Sequence, residues 1–185
     1  EARREAAILT LALYPAILMR GHAHEWELQC TSVIDAADLL DDPATVATIR
    51  TRLAVMYSIQ RRLEEATHCL DAALAVKRAL GDRSGEASTL EASGMVLMQA
   101  ERPDEAVELF EAALRVRREL GETFAEGITL SNAAEAHLRL GHQATSLHYL
   151  ERSLDIRRQC GDLAGEAITL HNLGEVALKM DSYEN

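Results

Sequence analysis

One ten-residue phrase returns at a fixed interval: GDRSGEASTL begins at Gly81, GETFAEGITL at Gly121 and GDLAGEAITL at Gly161. Rows of 40 residues align 1–40, 41–80, 81–120, 121–160 and a partial row 161–185 without a gap. A chain with such a period folds as stacked supersecondary units, because no single unit buries its own apolar face. The expectation is one domain, 1–185, in which row one is the degenerate repeat.

Each row reads as two helices. In the third row, apolar and small residues recur at three- and four-residue steps over 84–99 and again over 103–119, a helical period. Small residues occupy one column of the first helix at Ala54, Gly94, Ala134 and Gly174, and two columns of the second at Ala66, Ala106 and Ser146 and at Ala73, Ala113 and Ser153. Small side chains let helix axes approach, and Leu70, Phe110 and Leu150 with Leu74, Leu114 and Leu154 fill the space between them. Asp42 before Pro43 is a cap followed by a first-turn proline, and Pro103 opens a second helix in the same way. Gly81, Gly121 and Gly161 fall where a helix ends in a left-handed residue. The glycines of GDLAGEAITL therefore read as punctuation, since a phosphate loop would follow a strand and none is predicted. With 48% hydrophobic but only 4% aromatic residues and three prolines, the chain is expected to be all-α.

Composition removes several functions. A formal net charge of −11 disfavours direct binding to nucleic acid or to an anionic membrane surface. The apolar run from Ala6 to Met19 is short for a membrane span and contains Pro15. Cys30, Cys69 and Cys160 form no C-x-x-C pair and read as reduced core residues of a cytoplasmic protein. His22 and His24 stand two apart, and His68 adjoins Cys69, without a metal-ligand motif around either. No nucleophile elbow occurs, so neither catalysis, a metal nor a cofactor is expected. The pairs Lys77-Arg78, Arg117-Arg118 and Arg157-Arg158 sit in last turns, with Glu86, Glu126 and Glu166 in the first turns that follow. Helix-dipole electrostatics accounts for both sets.

Leu90, Gly94, Leu97, Ala106, Phe110 and Ala113 in row three, and Leu170, Gly174 and Ala177 in row five, resemble the signature of the tetratricopeptide repeat in its 40-residue, long-helix form. Ser146 and Ser153 stand where the family has alanine, and Trp26 also departs from the pattern. The resemblance implies a right-handed α-solenoid of antiparallel helix hairpins that binds a protein or peptide, without chemistry, along a groove lined by the first helix of each pair. Thr48, Thr51, Arg52 and Val55 would line it in row two, and Glu91, Met95 and Met98 in row three. Ser131, Asn132 and Glu135 would follow in row four, and His171, Asn172 and Glu175 in row five. Asn132 and Asn172 share a column and could either grip a peptide backbone or satisfy neighbours within the fold. With Arg52 the sole cation among these positions, a clamp for a terminal carboxylate is not expected. The phrases GDRSGEASTL and ALAVKRALGD are similar to those in the carboxy-terminal sensor arrays of bacterial STAND-type signal-transduction ATPases and antibiotic-cluster transcriptional regulators, which implies a regulatory module cut from a larger protein. The competing expectation is self-association, or contact with an upstream domain of the parent chain, through the apolar first helix with Leu11, Pro15 and Leu18.

Overall fold

The structure, a computed structural model, describes residues 27, 28, 30–32, 34 and 42–183, with side chains as far as residue 180. Leu11, Pro15, Leu18, His22, His24 and Trp26 lie outside the described residues. Among the described residues, the helices with both ends described are α1 (Pro43–Ile59), α2 (Leu63–Leu80), α3 (Arg83–Gln99), α4 (Pro103–Leu120), α5 (Thr123–Arg139), α6 (Gln143–Cys160) and α7 (Leu163–Tyr183). Among the described residues there is no strand. Helices α3 and α4 match the two segments expected from row three to within one residue at each end.

Local chemistry sets the ends. The Asp42 carboxylate accepts from the Thr45 backbone N–H at 3.0 Å and from its hydroxyl at 2.6 Å, with Pro43 in the first turn of α1. Gly81, Gly121 and Gly161 stop α2, α4 and α6 at φ of 69°, 70° and 68°. After α2, the Gly81 N–H donates to the Arg78 carbonyl and the Asp82 N–H to the Lys77 carbonyl, which satisfies carbonyls that a bare helix end leaves orphaned. A second left-handed column lies inside the hairpins, where Arg61, Glu101 and Gly141 have φ of 63°, 60° and 77°. Two of these are not glycine, so the sequence carries little sign of the column.

The chain divides between Ala92 and Ser93, within α3, into two compact units. In the first, α1 packs on α2 through Ile49, Leu53, Ala54, Leu70 and Ala73. Lys77 is buried there, its ammonium donating to the hydroxyls of Thr89 at 2.9 Å and Thr51 at 3.2 Å. Burial holds that amine below the usual lysine range. Thr51 is thereby engaged inside the unit rather than free for a ligand. Glu27 accepts from Arg62 at 2.9 Å and from the Tyr57 hydroxyl at 3.2 Å, tying the helical residues around Cys30 to α1 and α2.

In the second unit, Phe110, Leu114, Leu130, Ala133, Ala136 and Ile156 form one core cluster, and Ala134, Leu150 and Val176 another. A methyl group built on Gly94 would come within 2.6 Å of the Phe110 ring, so that small-residue column is where two axes meet. The serines that depart from alanine are used: Ser146 donates to the Ala134 carbonyl at 2.8 Å and Ser153 to the Gly127 carbonyl at 2.7 Å.

One sequence reading needs correction, and another gains detail. Cys160 is exposed at the end of α6, although Cys30 and Cys69 are core thiols as expected; a last-turn residue has no following turn to cover it. The basic pairs also split. Their second members reach across the turn to Glu86, Glu126 and Glu166 at 2.8, 2.7 and 2.7 Å, whereas Lys77 and Arg117 turn inward and are buried. Successive helical residues point about 100° apart, so one of a pair can face solvent while its neighbour enters the packing.

Candidate binding clefts

Two clefts open in the second unit, and their linings are related by the repeat. The first, about 180 Å³, lies between α3, α4 and α5 and is lined by Met95, Met98, Gln99, Phe110, Asn132, Glu135 and Arg139. The second, about 270 Å³, lies between α5, α6 and α7 and contains Glu135, Leu138, Arg139, Leu150, Asn172, Glu175 and Lys179. Moving 40 residues along the chain carries Met95 to Glu135, Met98 to Leu138, Gln99 to Arg139, Phe110 to Leu150, Asn132 to Asn172, Glu135 to Glu175 and Arg139 to Lys179. The clefts are one site built twice with different side chains.

Glu135 and Arg139 belong to both linings and form the wall between them. They are joined at 2.6 Å, and Arg139 also donates to the Met98 carbonyl at 3.0 Å. That carbonyl lies in the last turn of α3, where it also accepts from the Glu101 N–H at 3.3 Å. The guanidinium thus spans two helices and holds the wall in place. Asn132 and Asn172 are both half-buried at cleft margins. Asn132 already makes a contact within the fold.

Six of the thirteen expected groove residues line these clefts: Met95, Met98, Asn132, Glu135, Asn172 and Glu175. Seven lie elsewhere. The Ser131 hydroxyl is 2.8 Å from that of Ser153 on α6, within the packing. His171 is exposed outside both linings. Thr48, Thr51, Arg52, Val55 and Glu91 are half-buried in the first unit. Sequence reading missed Arg139, Gln99 and Lys179. The signal was present, since all three occupy the column four residues after Met95, Glu135 and Glu175, and residues four apart share a helix face.

A further polar group gathers at the end of α5. His137 is buried, its Nδ1 is 3.4 Å from Nδ1 of His142, and its ring meets Tyr149 edge-on at 5.3 Å. Burial first, and the His142 ring second, hold the His137 imidazole below the ordinary histidine value. Among the described residues, no three or more His, Cys, Asp or Glu side chains gather where a metal ion could be held, and no helix is long and apolar enough to cross a membrane.

Comparison with curated proteins found no significant match. Solved structures do match in fold. BtubC (BKLC) from P. vanneervenii superposes with a TM-score of 0.83 at 19% identity, covering 97% of this chain and 76% of that one. The STAND protein with a tetratricopeptide repeat sensor from Pyrococcus horikoshii superposes at 0.79 and 19% identity, over 95% of this chain and 27% of the other. A Rap protein complexed with Competence and Sporulation Factor gives 0.81 at 12% identity, over 97% and 50%. At such identities the likeness establishes fold alone, an all-α array of antiparallel helix hairpins. In sequence, a tetratricopeptide repeat family model matches residues 45–119 and 85–159, more than half of the chain. The chain belongs to the tetratricopeptide repeat family.

Proposed function

We propose that the chain is a non-catalytic recognition module that reversibly binds a protein or peptide segment laid across the two repeat-equivalent clefts. The observation that carries this reading is the recurrence of a half-buried asparagine, Asn132 and then Asn172, at the margin of each cleft. An extended segment offers backbone donors and acceptors at regular intervals, and asparagine can serve both. Helix-borne side chains held by packing need little ordering on binding, which favours affinity. The Rap relative with its bound factor and the STAND relative with its sensor repeats lend the same fold a regulatory setting. A bacterial cytoplasmic regulator is the setting we propose for this module.

The test is affinity capture from a bacterial lysate with the wild-type chain and with Asn132→Ala/Asn172→Ala, followed by titration of synthetic segments of any captured protein. A segment bound at least tenfold more weakly by the variant, with helicity unchanged, supports the reading. Equal affinity for both proteins removes the clefts from recognition.

Assembly through α7 is the second reading. Leu163, Ile168, Leu170 and Leu178 are exposed along that helix, with Leu163 and Leu178 at 78% and 72%. Apolar rows of this kind favour a protein neighbour over water. Sedimentation of the wild type and of Leu170→Ser/Leu178→Ser decides it: a mass that rises with concentration only in the wild type supports assembly, and two monomeric species exclude it.

A further inference from the structure

The two clefts share a plan but not a chemistry, and that difference specifies a ligand. The first has an apolar side, where Met95 and Met98 lie with Phe110, and the neutral Gln99 stands where the second has Arg139; its charges are those of the shared Glu135–Arg139 pair. Met98 and Phe110 are buried, while Met95 is 47% exposed, so a flexible thioether of this lining meets solvent. The second cleft has Leu138 and Leu150 in its lining and charges at its rim. Its charges are balanced by one another only in part. Arg139 is committed to Glu135 and to the Met98 carbonyl, and Lys179 has a partner of its own. Glu175 is exposed, and no described residue pairs with it. The second cleft thus presents one carboxylate seeking a cation, in a chain whose formal charge of −11 already draws cations toward it.

Resting on the binding role proposed above, we infer that the ligand is an extended peptide with an apolar side chain in the Met95 cleft and, one repeat further along, a lysine or arginine at Glu175. The shared Glu135–Arg139 wall sets the spacing between the two side chains, because it is fixed at both ends. An acidic segment would meet Glu135 and Glu175 without an uncommitted cation to offset them. A uniformly apolar segment would fill the first cleft and, running on over the second, cover Glu175 without offering it a partner, at a cost in affinity.

Phage-displayed random dodecapeptides panned on the wild-type chain, on Glu175→Lys and on Met95→Asp test this. Both substituted residues are exposed, so the variants are expected to keep the wild-type circular dichroism and melting curve. Wild-type selection should enrich an apolar residue and a Lys or Arg at a constant separation. Glu175→Lys should exchange the basic residue for Asp or Glu while retaining the apolar one, and Met95→Asp should abolish the apolar preference alone. A synthetic consensus peptide should bind Glu175→Gln about tenfold more weakly, the scale of one charge-assisted hydrogen bond. Peptides that need Asn132 or Asn172 but lack the paired preference, or whose basic residue persists on Glu175→Lys, would overturn this ligand and leave the binding role standing. Failure to select any peptide dependent on either asparagine overturns both.

Discussion

The joint around Gly94 and its counterpart around Gly174 occupy the same column one and then three rows into the regular repeat, yet only one is filled. The Phe110 ring sits where a Gly94 Cβ would be, whereas nothing lies within 4 Å of that position at Gly174. Their flanks diverge likewise. Leu90 and Leu130 are 4% and 0% exposed, but Leu170 in the same column is 46% exposed, and Leu178 stands open where Met98 is buried. Burial is a property of what packs on a helix and cannot be assigned from the helix alone. A repeated column states which face is apolar, and a neighbouring helix decides whether that face leaves water.

Substitutions at these joints can break the comparison. Phe110→Ala should lower stability by about 3–5 kcal/mol, since it opens a cavity at the filled joint; a loss under about 1 kcal/mol in urea denaturation would show that the ring is not what closes it. Gly94→Ala should cost about 1–3 kcal/mol through overpacking. In the Phe110→Ala background the same change should cost much less, and simple additivity of the two losses would mean that ring and glycine are not in conflict. Gly174→Ala should go the other way, gaining up to about 1 kcal/mol because alanine is the better helix former and meets no neighbour. A destabilised Gly174→Ala would mean that this joint is covered in solution.

The smallest expected effect concerns a third shared column, Leu97, His137 and Ala177. Unfolded, His137 has an ordinary value near 6.5, and burial lowers it in the folded state. Fewer protons are then bound when folded, so its contribution to stability is intact above that value and is lost as pH falls from it toward the folded value. Denaturant midpoints at about pH 7.5 and about pH 5 should therefore differ more for wild type than for His137→Leu, the residue of the equivalent Leu97. Parallel changes in both proteins would remove His137 as the source.

Much of the molecule was readable in advance because its rules are local. Helix ends at Gly81, Gly121 and Gly161, the Asp42 cap and the first-turn prolines depend on φ and on hydrogen bonds within a few residues. Six cleft residues were also legible, since a repeat column marks the same face of successive helices. Ser131 misled because its hydroxyl turned to Ser153, a partner 22 residues away that no pattern announces. Arg139 was overlooked because an exposed i, i+4 pair with Glu135 looks like ordinary helix decoration until its bond to the Met98 carbonyl is seen.

The 40-residue period, the all-helical class and the stops at Gly81, Gly121 and Gly161 were determined by the sequence alone, because backbone torsion and side-chain periodicity act over one or two turns. Tertiary structure decided that Lys77 enters the protein while Arg78 stays out, that Cys160 is exposed and Cys69 buried, and that Gly94 meets a ring while Gly174 meets nothing. Those outcomes depend on which surface each helix presents to its neighbours, and packing rather than propensity assigns it.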